Sequence, residues 1–90
     1  MANALPEVQR KVRSDISRVS GVPVASLDDE HTLVGDLEIP HTGFVTLAGS
    51  LDTFVKSKNP GGSVQVADVE NNDATVGSTT ELVQKEISPR

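Results

Sequence analysis

A small all-α bundle of three longer helices and one short helix is the fold class that this sequence predicts. Three observations carry it. Apolar residues recur at helical spacing in three segments, about 5–20, 41–57 and 75–87. Proline and glycine clusters punctuate the chain between them. No pair of alternating apolar runs supplies a sheet, and a length of 90 residues allows one domain, 1–90.

The first helix is the plainest. Pro6 suits an opening turn, where its missing N–H costs nothing. Val8, Val12, Ile16 and Val19 then form one stripe, with Arg10, Lys11, Arg13 and Arg18 largely off it. Gly21 and Pro23 end the helix. Residues 21–40 read as a long loop, anchored by Val22, Val24, Leu27, Leu33 and Leu37. Without such anchors a loop of this length would argue against a compact domain. Asp28, Asp29 and Glu30 are placed to cap a short turn.

Pro40 opens the second helix. Phe44, Leu47, Ala48, Leu51 and Val55 form its apolar face, widened by Val45 and Phe54. Gly43 and Gly49 each cost roughly 1 kcal/mol relative to alanine there, and Gly49 is expected to admit a neighbouring helix closely. Asn59–Ser63 is a loop. Val64–Val66 alternates but lacks a partner strand, so it reads as extended chain leading to a short helix at about 66–71. The last helix, about 75–87, turns Val76, Leu82, Val83 and Ile87 inward. Ser78–Glu81 has capping-box spacing and offers a later start at 79. Residues 1–4 and 88–90 read as frayed tails.

Charge narrows the function classes. The net charge is −5, and residues 28–52 hold six acidic residues with no Lys or Arg. That distribution, with no Tyr or Trp, speaks against nucleic acid as a partner and suits the steering of a basic protein partner. There is no cysteine, and no apolar run approaches the ~20 residues of a membrane span. No secretory signal is visible. The expectation is a cytoplasmic, monomeric domain. An enzyme is not expected, because no nucleophile–base pair, phosphate-binding glycine loop or facing carboxylate pair is present.

Nearly the whole chain resembles an acyl carrier protein. Ser20-Gly21-Val22 is similar to the end of that family's first helix, and Leu27 and Thr32–Leu37 to its loop anchors. Val45, Leu47, Leu51 and Val55 are similar to its apolar second helix, and Asp73–Val76 to the entry of its last. Asn59–Ser63 makes the loop after the second helix longer than usual. The family's Asp-Ser-Leu motif, whose serine carries phosphopantetheine, reads here as Pro40-His41-Thr42. Imidazole cannot replace the hydroxyl in that phosphodiester. Sliding the register to place Thr42 at the site would rotate the apolar stripe by about 100°. Gly43, Thr46 and Thr53 stand where the family is usually acidic, and only Asp52 remains.

The resemblance therefore implies a carrier-like domain without phosphopantetheine or any other cofactor. Its expected partner is a protein, such as an acyl-transfer or synthase enzyme of a fatty acid or polyketide pathway. The expected contact residues are Asp36, Glu38, Pro40, His41, Thr42 and Phe44. Phe44 and Phe54 also read simply as core. His41 as a base or metal ligand lacks an adjacent nucleophile and a second histidine at ligand spacing. His31, beside three carboxylates, reads as a solvated loop residue. Ser50-Leu51-Asp52 reads as an accidental echo of the carrier motif. Two alternatives stay open: a working carrier modified at another hydroxyl, and a bundle whose core shelters an acyl chain, with Ala48 and Gly49 leaving room.

Overall fold

Pro6 begins the first helix, α1 (Pro6–Ser20), in the computed structural model, which describes residues 5–88. Val8, Val12 and Ile16 are fully buried and Val19 is half-buried, so the stripe read from spacing is the buried face. Gly21 ends α1 in the left-handed region at φ 78°, its N–H donating to Ser17 O at 2.9 Å. That conformation strains any residue with a Cβ. A 3-10 turn follows at Val24–Ser26.

The second long helix, α2 (His41–Lys58), buries Phe44, Leu47, Ala48, Leu51 and Val55. A four-residue helix, α3 (Val66–Val69), and a final helix, α4 (Val76–Ile87), complete the bundle. α1 packs on α2 and α4, and α2 packs on α3 and α4. One apolar core results, to which the long loop contributes Leu27, Leu33, Leu37 and Ile39. The architecture is the small all-α bundle that the periodicities predict. Among the described residues no helix is long and apolar enough to cross a membrane.

Backbone pairing ties the loop down. Thr32 and Thr75 form an isolated antiparallel bridge. Around it, Leu33 N–H donates to Ala74 O and Val76 N–H to His31 O, each at 3.0 Å. The buried leucines and these bonds together hold a 20-residue crossover in place (residues 21–40).

Several local expectations need correction. Val24 and Val45 are exposed rather than inward-facing, while Val22 is half-buried against the core. Gly49 is exposed, and nothing lies within 4 Å of where a Cβ would stand, so no helix approaches there and it makes no room in the core. Gly62 makes the close approach instead: a Cβ there would sit 2.5 Å from Glu86 O. This is where the Asn59–Ser63 loop folds onto α4, with Asn59 Nδ2 donating to Glu86 O at 2.7 Å. α3 ends at Val69, earlier than expected. α4 starts at Val76 because Thr75 caps it: Ser78 N–H donates to Thr75 Oγ1 at 3.0 Å and Thr75 N–H to Ser78 Oγ at 2.8 Å. Ser78 is thus spent inside the first turn, and the later start is not used. Ser88, read as tail, closes α4 by bonding Gln84 O through both N–H and Oγ. The rest of the expected tails, 1–4 and 89–90, lies outside the described residues.

Candidate functional site at the start of the second helix

The approach to α2 is built by one tight turn. Asp36 and Leu37 both donate their N–H to Thr32 O, and Ile39 N–H donates to Leu33 O at 3.2 Å. Leu37 and Ile39 are buried, which forces Glu38 between them outward. Glu38 takes φ 51°, in the left-handed region, a strain of roughly 1 kcal/mol for a residue with a side chain. Its exposed carboxylate makes no hydrogen bond or ion pair among the described residues. Ile39 was not among the anchors expected, although Leu37 and Ile39 share the two-residue spacing of extended chain.

Asp36 differs from Glu38. Its carboxylate accepts from Thr32 N–H at 2.9 Å, and its own N–H donates to Thr32 Oγ1 at 2.9 Å. The Thr32 backbone donor holds the Asp36 carboxyl below the usual carboxylate range. Asp36 is therefore exposed but already engaged.

Pro40 is the N-cap of α2 and offers no side-chain acceptor, and no acidic residue lies in the first turn. The N–H groups of His41, Thr42 and Gly43 thus have no helical partner. His41 is the first helical residue. Its Nδ1 lies 2.7 Å from Glu70 Oε1, joining α2 to the residue that ends α3. Its side chain is 69% exposed and that of Glu70 31%. Because a carboxylate only accepts, the proton of this bond is on Nδ1. Nε2 has no partner among the described residues.

Of the six expected contact residues, Asp36, Glu38, Pro40, His41 and Thr42 are exposed in one continuous stretch. Phe44 is 1% exposed and belongs to the core, so it cannot be contact surface. The exposed apolar residue on this helix is Val45, at 48%. Glu70 was missed altogether. It lies 29 residues from His41, and nothing in the sequence announces that α3 folds back against the start of α2.

His31 is not simply solvated. Its Nδ1 accepts from Asp28 N–H at 3.0 Å, while Asp28 Oδ1 accepts from Glu30 N–H at 3.2 Å. The acidic triplet does shape a turn, with the imidazole closing it. Among the described residues no group of three or more His, Asp or Glu side chains could hold a metal ion.

A second polar cluster lies between α1 and α2. Asp15 is 2% exposed, and its Oδ2 accepts from Ser50 Oγ at 2.8 Å and pairs with Lys11 Nζ at 3.2 Å. Lys11 Nζ also donates to Ser50 Oγ at 3.0 Å. Asp15 Oδ1 has no hydrogen-bond partner among the described residues; the Arg18 guanidinium lies 3.8 Å from it. Ser50 is thus a structural contact of α1.

No family model, curated protein or solved structure matches the chain.

Proposed function

We propose that this protein is an acyl-carrier-like domain without the phosphopantetheine arm, working as a non-catalytic protein-interaction module related to fatty acid or polyketide pathways. The observation that carries the reading is the placement of His41. It opens an exposed helix start in a bundle with a long, well-anchored crossover, where the resemblance puts the modified serine. The contact surface runs from Asp36 to Thr42 and on to Val45. The unpaired Glu38 carboxylate and the acidic loop steer a basic protein partner, such as an acyl-transfer or synthase enzyme. The protein acts as a soluble cytoplasmic module in this reading.

A working carrier is the second reading, favoured by the exposed Thr42 at the same helix start. Incubation with coenzyme A and a broad-specificity phosphopantetheinyl transferase separates the two, read by intact mass against a serine-containing carrier. The expected result is no mass gain while the control converts fully. Gain of one arm would overturn the proposal. For the interaction itself, the double variant E38Q/H41A is expected to lose the partner retained by the wild-type protein in a pull-down. Equal retention by both would remove this surface from the reading.

A further inference from the structure

We propose that His41 is a phosphoryl-acceptor site, modified at Nε2 by donors of the acyl phosphate class, with Glu70 as its positioning residue. This goes beyond the binding role above and does not depend on it. The first observation is the proton placement. Glu70 accepts the Nδ1 proton at 2.7 Å, so in the neutral ring the lone pair is on Nε2, which has no partner among the described residues, on a side chain 69% exposed. A carboxylate on Nδ1 fixes the ring and favours the imidazolium that forms when Nε2 acquires a bond.

The second observation is the helix start to which His41 belongs. α2 is an 18-residue helix with no side-chain cap and no acid in its first turn. Its first three N–H groups have no helical partner, and the exposed Thr42 hydroxyl makes no hydrogen bond among the described residues. These donors and the helix dipole favour a phosphoryl group attached to the first helical residue.

The other histidine supplies an internal contrast. In His31 the Nδ1 lone pair is taken by Asp28 N–H, so the ring proton sits on Nε2 and no free lone pair remains. His31 is also half-buried. The two imidazoles of this chain therefore hold opposite tautomers, and only His41 is set up as a nucleophile.

The step balances without a further reactant. The Nε2 lone pair attacks phosphorus and the Nε2–P bond forms. The P–O bond to the acyl group breaks, and its electron pair leaves on the carboxylate. No proton is lost, because the ring keeps its Nδ1–H against Glu70.

The test uses the intact protein with acetyl phosphate, and N-acetylhistidine amide as the reference imidazole. The expected result is one added phosphoryl group, acid-labile, located on His41 by fragmentation and formed faster than on the reference. H41Q should abolish it. Carboxylate pairing of metal-bound histidines is worth roughly 10–100-fold, and E70Q is expected to slow the reaction about tenfold by the same orienting effect. Imidazole 15N shifts should report the Nδ1–H tautomer in the wild type and its loss in E70A, a change that a merely structural Glu70 would not produce. Addition at His31 or at a hydroxyl, a rate at or below that of the reference, or no addition while the reference reacts, would each overturn the proposal.

Discussion

Two seams of α2 are closed by side-chain hydrogen bonds of nearly equal length and opposite setting. Against α1, Ser50 meets Asp15 at 2.8 Å; against α3, His41 meets Glu70 at 2.7 Å. The first carboxylate is 2% exposed; the second is half-buried and its imidazole partner is mostly exposed. Distance does not separate them; solvent does. A buried carboxylate stripped of its partners has nothing to fall back on, whereas exposed partners return to water when parted. The α1 seam is therefore a fixed part of the fold. The α3 seam costs the fold little and leaves its imidazole free for other work.

The largest expected effect tests the buried seam. D15A should cost about 3 kcal/mol, at the lower end for breaking a buried pair, because Lys11 keeps access to water. Urea unfolding with an unchanged m-value would measure it. A loss below about 1 kcal/mol would put both seams in one class.

S50A should cost less, about 1–2 kcal/mol, because Asp15 keeps Lys11 but loses its hydroxyl donor. H41Q on the other seam is expected to cost under about 1 kcal/mol, as exposed pairs do. Equal destabilisation by H41Q and S50A in the same titration would put the two seams in one class.

The difference between the seams also explains what could be read from the sequence. Helices α1, α2 and α4 were legible because each has one apolar stripe, and spacing alone finds a stripe. Asp15 was legible in principle: it stands three residues after Val12 and four before Val19, on the buried stripe. A charge on that stripe signals a buried polar contact, although spacing cannot name Ser50 as its partner. His41 was legible as the first residue of α2, but Glu70 was not, since the fold of α3 onto α2 leaves no local pattern. Phe44 was read both ways. Its place near the helix start suggested contact surface, while the stripe that contains Leu47, Leu51 and Val55 placed it in the core, and the stripe prevails. The outward residue, Val45, was hidden because an exposed valine looks like core in any pattern.

A third carboxylate, Asp36, lies between the two cases: it is exposed, as Asp15 is not, yet a backbone donor holds it. The Thr32 N–H keeps its folded carboxyl below the ordinary value of 3.8. The unfolded chain then binds more protons in the window between the two values, so stability rises with pH there. The contribution is fully present above the unfolded value and is lost as pH falls through the folded one. D36N retains an acceptor for Thr32 N–H but cannot titrate and loses the charge-assisted part of the bond. Urea midpoints should therefore place D36N slightly below the wild type at neutral pH. The gap should close as pH falls from about 5 to about 2. A gap that stays constant across that range would show that the charge of Asp36 contributes nothing to the bond. Asp36 would then be as free as Glu38 to meet a partner, and the start of α2 would hold two available carboxylates rather than one engaged and one available.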